Sequence, residues 1–344
     1  MRAFQMTAWQ RPPELRDVPV PEPGPGQVLV EVAAAGACHS DLHVMEFPEG
    51  ILPFGLPFTL GHENTGRIAA LGPGVAGWRE GEPVAVYGPW GCGLCRPCRL
   101  SSENYCERAD DLPGAGGGLG LDGGMAEYML VPSARLLVPL GDLDPVHAAP
   151  LTDAGLTPYH AIARSRAALV PGTTAVVIGV GGLGHMAVQI LRAVTSARVV
   201  AIDADPSKLD LARDVGADDA ILAGDDAPAR VRSTTRGLGA ELVLDFVGAE
   251  ATLASAAQMV RKEGEITVVG LAGGTLPFNA FALPWEASIQ STYWGSLVEL
   301  TEVLALAAAG KISAHVERYS LDDVARAYQR LHDGEIRGRA VVVP

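Results

Sequence analysis

Hydrophobic and polar residues alternate in short runs through the first 90 residues of the chain. The clearest runs are residues 27–32 and 82–87, and Pro and Gly are dense between such runs, notably in residues 20–26. Apolar alternation predicts strands, and Pro and Gly mark the turns that separate them. We therefore expect this region to fold as a small β-barrel or sandwich.

The pattern changes after residue 173, where apolar strand-like runs alternate with helical patterns. The predicted strands are 174–178, 198–202, 241–245, 265–269 and a last one at 284–295. This order is typical of an open parallel sheet with helices on both faces. The chain is then predicted to end with two helices, 296–309 and 320–334, and a short strand, 338–343.

One stretch, residues 167–191, contains no Asp, Glu, Lys or Arg. Because Pro171 and five glycines interrupt it, and His185 and Gln189 lie inside it, we expect a buried strand, a glycine turn and a core helix instead of a membrane span.

Length and charge narrow the function classes. The 344 residues favour two domains. A net charge of −14 without a basic run argues against nucleic acid or an anionic membrane as a partner. The N-terminus has no apolar signal-peptide core, so we expect a cytoplasmic protein.

Four of the five cysteines lie close together in the sequence, at Cys92, Cys95, Cys98 and Cys106. Four thiolates saturate a tetrahedral zinc ion and leave no open position, so the spacing predicts a structural zinc site. Two disulfides or an iron–sulfur cluster are the alternatives, and a reducing compartment disfavours the disulfides.

The fifth cysteine, Cys38, belongs to a second set of metal-binding residue types with His62 and Glu63. Thiolate, imidazole and carboxylate are zinc ligands, and a catalytic zinc keeps one position open. Ser40 and His43 are placed to carry a proton away from whatever fills that position. Taken singly, Cys38 reads as an inert buried thiol and His62 as a core histidine, whereas together they favour a catalytic zinc.

A glycine motif, Gly179-Val180-Gly181-Gly182-Leu183-Gly184, follows the strand 174–178 and precedes a helix to about residue 193. In this context the glycines permit a tight turn and close approach of a pyrophosphate. Asp203 ends the next strand, where a carboxylate accepts from ribose hydroxyls and repels a 2′-phosphate, so NAD is favoured over NADP. A second glycine run, 113–118, is expected to be a flexible surface or pocket-edge loop.

Residues 61–66, followed after five residues by Gly72 and after two more by Val75, resemble the zinc alcohol dehydrogenase signature of the medium-chain dehydrogenase/reductase family. The resemblance implies an α/β protein with two domains. One is a GroES-like, β-rich catalytic domain, residues 1–155 and 296–344, with a structural zinc lobe at 91–107. The other is a Rossmann NAD-binding domain with a doubly wound parallel sheet, residues 156–295, and the active site is expected in the cleft between them.

The resemblance also implies roles for individual residues. Asp153 stands where many members have a third zinc ligand, often Cys, so Cys38, His62 and Asp153 are expected to hold the catalytic zinc. Glu63 is expected beside the zinc, and in the alternative it replaces Asp153 as a ligand. The cofactor contacts implied are Thr157, Gly179, Gly181, Gly182, Leu183, Gly184, Asp203, Lys208 on the ribose, Val269, Gly270 and Arg339 on the pyrophosphate. Lys208 and Arg339 otherwise read as surface residues.

These features predict an enzyme with two zinc ions per chain that oxidises mainly secondary alcohols by hydride transfer to NAD⁺, and catalyses the reverse reduction. Ser40 and His43 match the proton relay of the family, and the chain resembles most its bacterial secondary-alcohol dehydrogenases and carbonyl reductases. Phe54, Leu119 and Trp294 resemble pocket walls of that branch, or are ordinary packing residues.

Other functions of the same fold remain open at this point. A polyol, threonine or formaldehyde dehydrogenase is the alternative enzyme, and a non-catalytic NAD-binding protein is disfavoured by the open zinc set. By the same resemblance the strand 284–295 joins its counterpart in a second copy, which predicts a homodimer or homotetramer.

Overall fold

The chain forms two units that are built on different sheets. In the computed structural model, which describes all residues 1–344, the first unit comprises Met1–Leu156, Gly295–Ala308 and Ala314–Pro344, and the second comprises Thr157–Trp294 and Ala309–Ser313.

The strands in chain order are β1 (Arg2–Met6), β2 (Glu14–Asp17), β3 (Val28–Ala37), β4 (Phe58–Thr59), β5 (Glu63–Leu71), β6 (Pro83–Val86), β7 (Gly116–Gly117), β8 (Gly120–Leu121), β9 (Tyr128–Val131), β10 (Leu137–Pro139), β11 (Thr174–Ile178), β12 (Arg198–Asp203), β13 (Asp219–Leu222), β14 (Ala240–Asp245), β15 (Val260–Val268), β16 (Ser288–Ser291), β17 (Val316–Ser320) and β18 (Arg339–Val343). The α-helices are α1 (His39–Glu46), α2 (Arg96–Arg99), α3 (Pro145–Ala148), α4 (Leu156–Ser165), α5 (Gly184–Val194), α6 (Pro206–Asp214), α7 (Ala227–Thr234), α8 (Glu250–Met259), α9 (Leu297–Ala308) and α10 (Val324–His332).

A seven-stranded sheet forms the core of the first unit. Its strand order is β10-β6-β5-β3-β18-β17, and β9 also pairs with β3. A smaller sheet of order β2-β1-β4 lies in the same unit. The predicted β-rich region is therefore confirmed. Since β18 pairs antiparallel with β3, with Val341 opposite Gly36, the last residues of the chain lie beside a strand from its beginning.

The short helix α1 was not predicted. It starts directly after Cys38, whose backbone N–H donates to Asp41 Oδ2 at 2.9 Å. A carboxylate three positions into a helix that receives the N-cap N–H stabilises the first turn. An aspartate three residues after Cys38 is the sequence signal for this helix start, and it was not used in the predictions above.

The second unit is a parallel sheet of strand order β13-β12-β11-β14-β15-β16. The predicted doubly wound sheet is confirmed, and the charge-free stretch forms β11 and α5. Asp205 caps α6, since its carboxylate accepts the Ser207 N–H at 2.8 Å. The last strand, β16, is shorter than predicted because Glu286 and Trp294 have positive φ angles of 62° and 51°, which break the extended backbone.

None of the ten α-helices combines the length and the apolar character that crossing a membrane requires.

Asp245, at the carboxyl end of β14, holds together the loop that follows. Its side chain is fully buried and accepts N–H bonds from Val247 at 2.9 Å and Gly248 at 3.0 Å, and a hydroxyl bond from Thr252 at 2.8 Å. Its carbonyl oxygen accepts the N–H of Gly270 at 3.0 Å. These bonds make Asp245 a structural residue of this loop.

We expect Asp245→Ala to destabilise the protein by about 2–4 kcal/mol, because buried N–H groups without a partner cost about 1–3 kcal/mol each. The thermal unfolding midpoint should fall by roughly 5–10 °C in a calorimetric scan. Asp225→Ala removes an exposed carboxylate of the same unit and is the control. Equal midpoints for the two variants would contradict the role given to Asp245.

Candidate active site

The pairing of β3 with β5 brings the first two metal-binding side chains together. Gly36 lies opposite Glu63 in the antiparallel register. Cys38 lies two residues beyond Gly36 and His62 one residue before Glu63, so both are at the same end of the strand pair. Asp153 comes from a separate segment, where it ends a short 3₁₀ helix, Ala149–Thr152.

Cys38, His62 and Asp153 are buried and their ligand atoms lie within 4.8 Å of one another. Asp153 Oδ2 is 3.7 Å from Cys38 Sγ and 3.5 Å from His62 Nε2. Zinc bonds of about 2.0–2.3 Å in a tetrahedron place ligand atoms roughly 3.3–3.8 Å apart, so this set fits a zinc ion. With three protein ligands, the fourth position stays open for water or substrate.

Asp41 orients the imidazole of the set. Its carboxylate is fully buried, and Oδ1 lies 2.8 Å from His62 Nδ1. A carboxylate on Nδ1 keeps the proton there and leaves Nε2 free for the metal. The other oxygen, Oδ2, accepts from the Cys38 N–H and from the hydroxyl of Tyr328 at 2.9 Å. Burial and the charge of Asp41 hold the pKa of Tyr328 well above its usual range, so the hydroxyl remains a donor.

Glu63 is held by Arg339 in a buried ion pair. Arg339 Nε donates to Glu63 Oε2 at 2.9 Å, and its Nη2 donates to Oε1 at 2.5 Å. Oε1 also accepts the Ala154 N–H at 3.1 Å, and Arg339 Nη2 lies 3.5 Å from Asp153 Oδ2. Burial raises the pKa of Glu63 to about 7, against the opposing effect of Arg339.

This ion pair was not foreseen. The sequence predicts that Arg339 contacts a pyrophosphate or lies at the surface, whereas its side chain is only 3% exposed and lies beside the metal-binding set. The surface alternative is wrong. The contact of Arg339 with a pyrophosphate stays a prediction. Glu63 is not among the three residues whose ligand atoms lie together, which are Cys38, His62 and Asp153.

Ser40 and His43 lie on α1 next to Cys38. They are three residues apart, so they share one face of the helix, and both are partly exposed. Ser40 Oγ is 3.6 Å from Cys38 Sγ. Ser40 therefore places a hydroxyl beside the metal-binding set, and His43 places an imidazole about one turn further along the helix.

The four clustered cysteines surround a second point. Cys95 Sγ lies 3.4 Å from Cys98 Sγ and 3.9 Å from Cys106 Sγ, and Cys92 Sγ lies 4.0 Å from Cys98 Sγ. Thiolates around one zinc are about 3.8 Å apart at a bond length of about 2.3 Å. The N–H groups of Cys95 and Leu94 lower the pKa of Cys92 to about 6, which favours the thiolate that binds metal.

The sequence left two disulfides or an iron–sulfur cluster as alternatives for these four cysteines. All four are free thiols, so the disulfides are not formed. The four sulfur atoms lie within 4.8 Å of one another, which suits one ion better than an iron–sulfur cluster, whose several atoms separate its thiolates. Four protein ligands leave no open position for a substrate.

The second unit carries the glycine motif at the carboxyl end of β11, where the strand order reverses between β12 and β14. Gly179 has a φ of 86°, and a side chain on Gly184 would overlap the Gly179 carbonyl. Helix α5 begins at Gly184 without a side-chain cap, and a helix N-terminus is a favourable place for an anion. Asp203 Oδ2 accepts the Val180 N–H at 2.7 Å, which fixes the acid against this turn.

The remaining predicted cofactor residues of this unit lie at strand or helix ends. Val269 and Gly270 follow β15, and both donate N–H bonds to the Asp245 carbonyl. Lys208 is partly exposed on α6, and Thr157 is buried in α4.

Of the two expectations for residues 113–118, the flexible surface loop is wrong, and the pocket-edge position stays a prediction. Gly116, Gly117 and Gly118 are buried, and the run forms β7 and the turn to β8. Gly118 has a φ of 84°, and a side chain there would overlap the backbone of Gly61. Glycine therefore lets this segment pack against the residue that precedes His62.

The three predicted pocket-wall residues have different settings. Phe54 is partly buried and packs edge-to-face on Phe58, with ring centroids 6.1 Å apart. Leu119 is partly buried in the turn between β7 and β8. Trp294 belongs to the second unit, where it is buried and packs edge-to-face on Tyr293 at 5.8 Å.

Two family models match this chain. Residues 24–142 match the alcohol dehydrogenase GroES-like domain, and residues 182–309 match the zinc-binding dehydrogenase model.

Curated relatives match over the full length. An NAD-dependent alcohol dehydrogenase of Sulfurisphaera tokodaii is 38% identical and covers 100% of both chains. A D-arabinose 1-dehydrogenase (NADP⁺) of Saccharolobus solfataricus is 36% identical over 100% of this chain and 97% of its own.

Solved structures are also similar. The alcohol dehydrogenase of Aeropyrum pernix has a TM-score of 0.92 and 37% identity, with 100% of both chains covered. The acetophenone reductase of Geotrichum candidum, solved with NAD, has a TM-score of 0.85 and 34% identity over 100% of this chain and 97% of its own.

We expect Gly36→Ala to disturb the site through Glu63. A Cβ at Gly36 would overlap the Glu63 carboxylate, which Arg339 holds in place, so the ion pair has to move. Overpacking of this kind costs about 1–3 kcal/mol, which a fall in the thermal unfolding midpoint would measure. Gly55→Ala, whose Cβ meets nothing within 4 Å, is the matched control. A Gly36→Ala protein as stable as the control would refute the close packing.

Proposed function

Because the chain belongs to the family of zinc-binding alcohol dehydrogenases, we propose that it oxidises alcohols, mainly secondary ones, to ketones or aldehydes with NAD⁺ and catalyses the reverse reduction. The observation that carries this proposal is the buried set of Cys38, His62 and Asp153, with ligand atoms at the separations that zinc requires and one coordination position left open.

In this proposal Cys38, His62 and Asp153 hold the catalytic zinc, and Asp41 orients His62. Bound zinc supplies a Lewis acid that lowers the pKa of a hydroxyl group. Ser40 takes the proton of the substrate hydroxyl and passes its own, through the nicotinamide ribose, to His43 and solvent, which agrees with the common face of the two residues on α1. Glu63 acts from outside the ligand set, because both of its oxygens are bound by Arg339. The four clustered cysteines hold a second, structural zinc.

The second unit binds NAD in this proposal, and NAD⁺ accepts the hydride. The turn at Gly179, Gly181, Gly182 and Leu183 and the start of α5 at Gly184 receive the pyrophosphate. Asp203 accepts from the ribose hydroxyls and repels a 2′-phosphate. Further contacts are assigned to Thr157, Lys208, Val269, Gly270 and Arg339. In this proposal residues 1–155 and 296–344 make up the catalytic domain, and residues 156–295 make up the cofactor domain.

Preference for secondary alcohols is supported by the apolar residues Phe54, Leu119 and Trp294, which suit apolar substituents better than polyols. The similarity to acetophenone reductase is in line with this preference, since that enzyme's name denotes reduction of an aryl ketone. The relative that acts on D-arabinose favours a polyol or sugar dehydrogenase as the second candidate.

A homodimer or homotetramer is the proposed assembly. Strand β16 pairs only with β15 and lies at the edge of its sheet. Ile289 on this strand is 37% exposed, and the nearby Phe281 and Trp285 are 83% and 60% exposed. An edge strand with apolar neighbours is suited to pair with a second copy. We also propose a cytoplasmic location, because the free cysteine cluster needs reducing conditions.

The main experiment measures metal content together with NADH formation from 2-butanol and 1-phenylethanol. We expect two zinc ions per chain in the native protein and one in Asp153→Ala. That variant should lose at least about a hundredfold in kcat, because Lewis-acid stabilisation is worth several kcal/mol. Asp142→Ala, an exposed aspartate of the same unit, should keep both zinc ions and full activity.

One zinc ion in the native protein and no oxidation of any alcohol would refute the catalytic site and leave only the cysteine cluster. Two zinc ions with higher activity on D-arabinose, sorbitol or threonine would keep the mechanism and replace the substrate class.

Asp203→Asn tests the coenzyme assignment. The substitution keeps the side-chain size but removes the charge, so kcat/KM with NAD should fall roughly ten- to hundredfold, since hydrogen bonds to a charged group are worth about 1.5–3 kcal/mol. The preference for NAD over NADP should shrink as well. Steady-state kinetics with both coenzymes measure this, and Asp210→Asn, at an exposed position on α6 of the same unit, is the control. An unchanged NAD/NADP ratio would be evidence against Asp203.

A further inference from the structure

The hydroxyl of Tyr328 joins the end of the chain to the metal-binding set. Tyr328 lies on α10, 287 residues after Asp41, and donates to Asp41 Oδ2 at 2.9 Å. Both side chains are buried, with 4% and 0% exposure. No cofactor or substrate role in the mechanism above uses this tyrosine, and a buried phenol is directed at a carboxylate instead of at water.

The Asp41 carboxylate has a specific partner on each oxygen. Oδ1 faces His62 Nδ1 at 2.8 Å, whereas Oδ2 is held by the Cys38 N–H and the Tyr328 hydroxyl, each at 2.9 Å. The terminal torsion of an aspartate is broad, so its own rotamer preference does not fix the plane of the carboxylate. Of the two partners of Oδ2, the Cys38 N–H belongs to the same helix start as Asp41, whereas the Tyr328 hydroxyl comes from another element, α10.

The ring of Tyr328 is independently packed. It stacks on Phe4, with ring centroids 5.9 Å apart and planes inclined by 15°. Removal of the hydroxyl alone therefore leaves the ring in place and takes away a single hydrogen bond.

We propose that Tyr328 is a positioning residue for the catalytic metal: its hydroxyl fixes the Asp41 carboxylate, which in turn aims His62 Nε2 at the ion. The proposal rests on the proposed function, since it assumes a metal on Cys38, His62 and Asp153. Through these two contacts, α10 near the end of the chain would position His62, the ligand that directly precedes β5. Partners outside the ligand set typically change metal affinity or activity by about 10–100-fold.

The test compares zinc release from native protein, Tyr328→Phe and Tyr319→Phe, each loaded with two zinc ions and exposed to an excess of chelator. We expect Tyr328→Phe to lose the zinc of the Cys38 set about tenfold faster, at the lower end of that range, because the Cys38 N–H still holds Asp41. The zinc of the four cysteines should leave at the native rate, which provides an internal reference for folding.

Tyr319→Phe is the matched control. The Tyr319 hydroxyl contacts Glu317 and Arg330, so it also reaches α10, but it makes no bond to Asp41. Its zinc release should equal that of the native protein.

Two further readouts separate positioning from general loosening. With cobalt in place of zinc, Tyr328→Phe should shift the visible absorption bands, which report ligand geometry, and Tyr319→Phe should not. In an Asp41→Asn background the effect of Tyr328→Phe on zinc release should vanish, because the two residues act in one chain of contacts.

Native release and a native cobalt spectrum in Tyr328→Phe would overturn the proposal, as would equal acceleration at both zinc sites. Failure of the proposed function looks different, because the native protein itself would then bind no metal at the Cys38 set.

Discussion

The burial of charge around Glu63 is the constraint on which the first unit depends. The carboxyl groups of Glu63 and Asp153 are buried beside one guanidinium, that of Arg339, and the carboxyl group of Asp41 and the thiol of Cys38 are buried in the same unit. Buried charges are tolerated only where they are paired or bound to metal. The Arg339 pair compensates Glu63, and the His62 and Tyr328 bonds satisfy Asp41. In the proposed function, a divalent cation on Cys38 and Asp153 would complete the balance.

This balance explains why the end of the chain returns to the beginning. Strand β18 lies against β3 and supplies Arg339, and α10 supplies Tyr328. Without these two segments Glu63 and Asp41 would be buried with too few partners, which is strongly destabilising. The strand and helix from the end of the chain therefore supply two of the contacts around this group of residues, Arg339 on Glu63 and Tyr328 on Asp41.

Local signals in the sequence were enough for the sheets, the glycine turn and the cysteine cluster. The cluster lies within 15 residues, from Cys92 to Cys106, and the glycine turn is continuous, so spacing alone defines them. The pairs Glu63 with Arg339 and Asp41 with Tyr328 span 276 and 287 residues, and no local pattern reports such contacts. The glycine run at 113–118 misled for the opposite reason, since glycine serves close packing as well as flexibility.

The two metal-binding sets differ in how they depend on the fold. The cysteine cluster is drawn from one loop, so its metal can organise that loop directly, and its four ligands exclude chemistry. The Cys38 set is drawn from three segments and is in place only once β3, β5 and the segment at Asp153 have assembled. Its geometry is imposed by the surrounding hydrogen bonds instead of by the ion. A site that keeps one position open for substrate has only three protein ligands. The surrounding hydrogen bonds hold these three ligands in position.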